Sequence, residues 1–284
     1  MRLVSMRELM DGALAGGYAV GAFNVNNMEY IQAVIEAAAE SRSPVIVQAA
    51  DSECAYMGHA NFVQMVKSIG SGYDIPVAIH LDHGSSFESA IRCVRAGFTS
   101  VMFDGSKLPY EENVATMKRI VDVCRVLGVT VEGEIGRIGG EELNQGDAVP
   151  EELLSDPTES LDFCTRTGID CLAAAIGTVH GFYKSTPKLD FPRLQKIRAA
   201  VKLPIVLHGG TGVPEGDIKK AISLGVAKIN FSTVVRHACI TQLSKTLEEN
   251  PGNLDLMFIL SKSKQKMKDA ISNQIRMCGS AGKA

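Results

Sequence analysis

Eight times along the chain a short, β-branched apolar run gives way to a longer stretch of helical period, and this alternation constrains the fold more than any other feature. The candidate strands are residues 18–25 (YAVGAFNV), 44–50, 76–83 (PVAIHLDH), 100–106, 130–136, 171–178, 204–210 and 228–233. Most are apolar nearly throughout instead of at every second position, the pattern of strands covered on both faces in a parallel sheet. Helices are predicted between them, for instance over 28–40, 86–96, 112–127 and 215–224. Gly97, Gly128, Gly168 and Gly225 stand where a helix end calls for a left-handed residue. Pro44, Pro76 and Pro204 open strands, where a missing N–H does little harm. Eight βα units in about 230 residues predict an α/β fold, a single (β/α)8 TIM barrel over residues 1–284. A helical C-terminal extension is expected after about Asn250, ending in a flexible GSAGKA.

Polar residues collect at the C-terminal ends of these strands. His80, Asp82 and His83 end the third candidate strand, Asp104 lies on the fourth, and Glu132 and Glu134 lie on the fifth. His180 follows the sixth, His208 ends the seventh, and Asn230 and Ser232 lie on the eighth. In a barrel those ends converge on one face, where active sites are built. His59 and His237 fall in helical segments and receive no role; His80 is open between packing, support of a ligand and ligation. That leaves His83, His180 and His208, three imidazoles that with an open fourth position make the arrangement of a catalytic zinc site. The glycine-rich 208–212 and the turn 230–233 form a backbone-rich pocket of the kind that holds phosphate after the last two strands of a barrel. Residues 137–156 make a long, polar, glycine-rich loop, expected to be a functional lid or a disordered segment.

Charge and cysteine usage narrow the partners. A net charge of -3 argues against nucleic acid or an anionic membrane, though it leaves room for a small anionic substrate in a locally positive site. Seven scattered cysteines without a C-x-x-C read as free thiols in a reducing cytoplasm, neither a disulfide framework nor a cysteine-based zinc site. The first residues lack a signal-peptide core, and the apolar runs are too short to span a bilayer, so a cytoplasmic location is expected.

Five segments then carry a resemblance: HLDHGSS (80–86), FDGS (103–106), EGEIG (132–136), GTVHGFYK (177–184) and VLHGGTG (206–212). In order and spacing, from Val4 to the C-terminal GSAGKA, the chain resembles the class II fructose/tagatose bisphosphate aldolases. The resemblance implies a homodimer or homotetramer that uses Zn2+, with room for a monovalent cation (Na+ or K+), to cleave a phosphorylated ketose reversibly. It makes His83, His180 and His208 the zinc ligands and Asp82 the acid/base at the C4 hydroxyl, with Asp104 and Glu134 at an alternative metal position. It assigns Gly181, Gly209, Gly210, Thr211, Asn230 and Thr233 to the dihydroxyacetone phosphate site, with Asn24, Lys184, Ser232 and Arg236 as further substrate contacts. Glu142, in the long loop, matches a mobile glutamate that moves the proton at the enediolate carbon. Zinc supplies the electron sink, so no Schiff-base lysine is needed.

Fructose 1,6-bisphosphate is the expected substrate, giving dihydroxyacetone phosphate and glyceraldehyde 3-phosphate. Tagatose 1,6-bisphosphate is the alternative, because Ser232 stands where fructose-type enzymes often carry Asp or Asn and tagatose-type enzymes a small Ala. Lys107 replaces a common His, Val234-Val235-Arg236 replaces a more polar stretch, and a deoxy-ketogluconate phosphate is a third candidate. Outside the aldolases, other metal-dependent barrel enzymes share three histidines but need no glycine-rich phosphate cradle. A non-catalytic stabilising subunit would be expected to have lost a ligand histidine or Asp82.

Overall fold

In the computed structural model, which describes residues 1–138 and 149–284, a parallel sheet closes on itself. Its strands are β2 (Val20–Asn24), β3 (Val45–Ala50), β4 (Pro76–Gly84), β5 (Ser100–Phe103), β6 (Thr130–Ile135), β7 (Cys171–Ala174), β8 (Ile205–Leu207) and β9 (Val226–Phe231). Each pairs with the next, and β2 pairs with β9 through Ala22 opposite Asn230 to complete the ring. The predicted barrel is therefore formed. A two-residue strand the sequence did not signal, β1 (Arg2–Leu3), lies parallel to the start of β4.

The helices are α1 (Met6–Gly16), α2 (Met28–Glu40), α3 (Asp51–Met57), α4 (His59–Gly70), α5 (Phe87–Ala96) and α6 (Tyr110–Leu127), followed by α7 (Pro157–Thr167), α8 (Phe191–Val201), α9 (Glu215–Ser223), α10 (Thr233–Glu249) and α11 (Leu256–Met277). Local chemistry sets their ends. Asn27, Ser86 and Asp156 accept backbone N–H groups at helix starts, and Gly97, Gly128 and Gly168 take the left-handed conformation at helix ends.

Two apolar regions follow. The larger lies between the outer face of the barrel and its helices. The smaller fills the lower barrel interior, where Val20, Ala22, Ile46, Ala78, Ala173 and Val206 meet Met6, Leu9 and Met10 of α1. Helix α1 thus closes that end. Because residues two apart share a face of a strand, the same inward rows run upward into Asn24, Gln48, His80 and Asp82, so the interior turns polar toward the C-terminal ends. α11 packs on α2 and α10, as the expected extension. The segment after it is not loose: the Gly282 and Ala284 N–H groups donate to Ser41 and Arg42 carbonyls at 2.9 Å, and Ser280 is buried against Ser43. Those hydrogen bonds correct the expectation of a flexible GSAGKA.

Candidate active site

The end of β4 is irregular. Consecutive residues of a strand face opposite ways, so Asp82 and His83 should not both reach the barrel mouth. Between Leu81 and Gly84 the pairing with β5 shifts register, and His83 adopts φ +48, a conformation that costs a residue with a Cβ. The twist turns His83 inward beside Asp82, and both line a cleft of about 320 Å³. Strain at this point is the means by which one strand end presents two adjacent functional groups.

His180, in the loop after β7, and His208, just past β8, meet His83 there, with one ring nitrogen from each within 4.8 Å of the others. His83 Nδ1–H donates to Asp104 Oδ2 at 2.8 Å, and His208 Nε2–H donates to Glu132 Oε1 at 2.7 Å. The carboxylates hold the outer ring nitrogens as donors and leave the inner ones, His83 Nε2 and His208 Nδ1, with lone pairs. These stand only 3.0 Å apart. Two lone pairs at that distance repel, so the gap calls for a bound cation: a proton on His83 Nε2 when no metal is there, or a metal ion in its place. The electrostatics agree: burial by itself would lower the His83 pKa, but Asp82, Asp104 and Glu134 push it up to about 10. His180, by contrast, falls to about 4 through burial and the neighbouring His83 and His208. A divalent metal fits this donor set.

Below the histidines lies a buried charged network. Glu132 Oε2 accepts from Lys228 Nζ at 2.6 Å, and all three of Glu132, Lys228 and His208 are fully buried. His80 bonds Ser100 at 2.9 Å and stands 3.4 Å from Glu132, so it sits under the trio and outside it. Burial would raise the Glu132 pKa, but Lys228 and His208 hold it well below the usual carboxylate range.

Asp82 is oriented from both sides. Asn24 Nδ2 donates to one carboxylate oxygen at 2.9 Å and Asn230 Nδ2 to the other at 3.1 Å, while Gln48 fixes Asn24 through its side-chain oxygen at 2.9 Å. Against the burial that would raise it, His83, His208 and Lys228 keep the Asp82 pKa well below the ordinary value. Glu53 of α3 spans to Arg236 of α10 at 2.8 Å across the rim.

The remaining wall is backbone. Gly209 has φ +67, and a Cβ there would lie 2.4 Å from the Val179 carbonyl oxygen. Tyr183 locks the turn by accepting from Val179 N–H and donating to the Gly209 carbonyl, at 3.0 and 2.9 Å. Facing it, α10 starts at Ser232 without a cap from that side chain; Thr211 Oγ1 accepts from the Val234 N–H at 3.3 Å, and the positive end of the helix dipole favours an anion. Gly181, Gly209, Thr211, Ser232 and Thr233 line the cleft together with Asn24, Asn230 and Arg236. Gly210 lies just behind, donating to the Asn230 carbonyl at 3.1 Å.

Comparison with known proteins decides the family. The model of class-II fructose-bisphosphate aldolase matches residues 4–283. The chain belongs to the class II fructose-bisphosphate aldolase family. It is 46% identical over 288 residues to the probable fructose-bisphosphate aldolase of Bacillus subtilis (strain 168), covering 100% of both chains. It is also 46% identical to the fructose-bisphosphate aldolase of Geobacillus stearothermophilus, over 100% of this chain and 99% of that one. Among solved structures it resembles the YdjI aldolase from Escherichia coli K12, with a TM-score of 0.87, 35% identity and 99% of each chain covered.

This class II aldolase is accordingly a lyase of a family that is zinc-dependent in general and acts on phosphorylated sugars. Its fold brings together nearly all the residues singled out from the sequence. Asp104 and Glu134 form a second possible metal group with His83, and Glu134, buried and facing Asp104, is pushed up to about 8. Lys184 is exposed after β7 and does not line the cleft; Glu142 lies outside the described residues. Sequence reading gave no role to Glu132, Lys228, Gln48, Glu53 or Tyr183. A signal existed for Lys228, a charged side chain inside a run otherwise fit for burial.

Proposed function

We propose that this aldolase cleaves fructose 1,6-bisphosphate reversibly to dihydroxyacetone phosphate and glyceraldehyde 3-phosphate, with Zn2+ held by His83, His180 and His208. The observation that carries the metal assignment is the 3.0 Å approach of His83 Nε2 and His208 Nδ1 with both outer nitrogens already committed to carboxylates. When bound, zinc supplies a Lewis acid beside the substrate carbonyl. Asp82, ionised and fixed by Asn24 and Asn230, takes the proton of the C4 hydroxyl as the C3–C4 bond breaks. The bonding electrons pass to C3, where Glu142 is assigned the return of a proton. The Gly209–Thr211 backbone and the α10 N-terminus receive the phosphate next to the ketone, and Arg236 the distal one. Lys184 is kept as a contact made only with substrate present, and Asp104 and Glu134 as an alternative metal position.

Names of two relatives at 46% identity support fructose as the sugar. Ser232, a small hydroxyl in the cleft wall, favours tagatose 1,6-bisphosphate as the second reading. Residues 1–284 act as one catalytic unit in the cytoplasm; among the described residues no helix is long and apolar enough to cross a membrane. A homodimer or homotetramer is supported by Leu254 and Met257, 93% and 78% exposed beside the α10–α11 junction. A monovalent cation, Na+ or K+, rests on the family resemblance and is tested by exchanging the salt for tetramethylammonium. The main test is the initial cleavage rate of fructose and tagatose 1,6-bisphosphates, with EDTA and then added Zn2+. Loss to chelation, rescue by zinc and a faster rate on fructose are expected. A faster rate on tagatose overturns the substrate, and full activity after metal stripping overturns the metal.

A further inference from the structure

Away from the catalytic cleft, three helices bring their side chains to one point. Cys54 of α3, His59 at the start of α4 and Cys93 of α5 place a sulfur, a ring nitrogen and a sulfur within 4.8 Å of one another. Linear spacing hides this, since Cys93 lies far along the chain from the other two, so that the thiols read as scattered and His59 as one more helical residue. The fold joins them at Gly58. This single residue, at φ +80, separates the end of α3 at Met57 from the start of α4 at His59 and folds His59 back toward Cys54. Such a turn calls for glycine.

We propose that Cys54, His59 and Cys93 bind a second divalent metal ion of the zinc class, distinct from the ion of the histidine cluster. Two sulfurs and an imidazole select soft and borderline ions over magnesium or calcium. Both thiols are fully buried, and His59 is only partly so, which leaves the imidazole side as the way in. The charge balances: two thiolates, a neutral imidazole and a divalent cation sum to zero, the condition for placing ions in a dry pocket. Two thiol protons leave to water as two metal–sulfur bonds form, and no electron moves. Without the ion, the Cys54 thiol contacts the Ala49 carbonyl at 3.7 Å and shares a weak hydrogen bond with Cys93, a pairing that two metal–sulfur bonds would replace. Asp51, on the same helix, is already committed to Ser85 N–H at 2.7 Å and to the Ser89 hydroxyl, so the fourth position falls to water.

The ion would act on the catalytic face through its supports. α3 continues directly from β3, whose last residue Ala50 lines the cleft, and carries Glu53, the partner of Asn24 and Arg236. α5 starts just after the turn that follows His83. Joining α3, α4 and α5 pins both flanks of the strand ends that present Asp82 and His83.

The test titrates metal-free, full-length protein with Co2+ and follows thiolate-to-cobalt absorption in the near ultraviolet. The histidine cluster offers only nitrogen and oxygen donors, so that band reports the cysteine site alone. The expected result is two cobalt ions per chain with the band, one ion without the band in Cys93→Ser, and one ion with the band in His208→Ala. Uptake of one ion with no thiolate band in the unmodified protein overturns the proposal, as does a band that survives in Cys93→Ser. Recovery of a Cys54–Cys93 disulfide in place of the band also overturns it. Should Cys93→Ser fail to fold, His59→Ala keeps both thiols: it should release cobalt to a competing chelator at least about tenfold more readily. An unchanged chelator midpoint in that variant overturns the assignment as well.

Discussion

Glu132→Gln separates two functions that one buried carboxylate performs. One oxygen accepts from His208 at 2.7 Å, and the other accepts from Lys228 at 2.6 Å, with all three groups fully buried. The amide keeps the shape and loses the charge. For His208 the consequence is weaker basicity at the inner nitrogen, and the loss of such a supporting carboxylate costs about 10–100-fold in metal affinity. For Lys228 the consequence is a buried ammonium without a counter-ion, worth about 3–5 kcal/mol of stability. Glu132→Gln should therefore be both less stable and weaker in zinc binding. Adding Lys228→Met removes the orphaned charge, so the double variant should recover most of its stability while zinc binding stays about 10–100-fold weak. Urea unfolding of the metal-free proteins measures the first quantity and competition with a zinc chelator the second. Wild-type zinc affinity in the double variant would refute the support of His208. Unchanged urea unfolding of Glu132→Gln alone would refute the dependence of Lys228 on it.

Three further predictions rest on single residues. Asp82→Ala should lower kcat by about 10²–10⁴ while zinc content stays at the wild-type level, and near-normal turnover would remove Asp82 from the acid/base role. Gly209→Ala, with its Cβ driven into the Val179 carbonyl and φ at +67, should cost about 1–3 kcal/mol in urea unfolding and raise KM for the phosphorylated substrate; no change in either disproves the cradle. His80 is held down to about 3, chiefly by burial and then by Lys228, whereas an unfolded imidazole titrates near 6.5. Its folded pKa is depressed, so the stability it contributes is present above about pH 6.5 and declines as pH falls toward 3, by at most about 1.4 kcal/mol per unit. His80→Gln should accordingly lose less stability than wild type between pH 6.5 and 4 in metal-free protein, and an equal loss would contradict the reading.

How much of this was legible in the sequence follows from which interactions are local. Strand and helix positions were readable because apolar runs and glycine stops are written in consecutive residues, and β1 escaped because two residues carry no period. The histidine trio was readable because barrel topology sends every strand end to one face, so His83, His180 and His208 had to converge once the strands were placed. Glu132 and Lys228 were not, because their pairing spans the barrel interior and depends on register. His83 posed a different problem: regular alternation would have turned it outward, and only the left-handed twist at φ +48 brings it in. The C-terminal segment misled for a compositional reason. Gly, Ser, Ala and Lys suggest looseness, yet backbone hydrogen bonds to Ser41 and Arg42 hold it without needing large side chains.

That stitching has a consequence for how the chain is made. Ala19 N–H donates to the Cys278 carbonyl at 3.0 Å, β2 needs β9 to close the ring, and residues 41 and 42 bond residues 282 and 284. The first barrel strand to leave the ribosome therefore waits, with one edge unpaired, until residues 226–284 have also emerged. During synthesis the nascent barrel is an open sheet with two exposed edges, the state most prone to pair with a neighbouring chain. The seam between β2 and β9 is thus where translation speed and chaperone capture bear most directly on the yield of this aldolase.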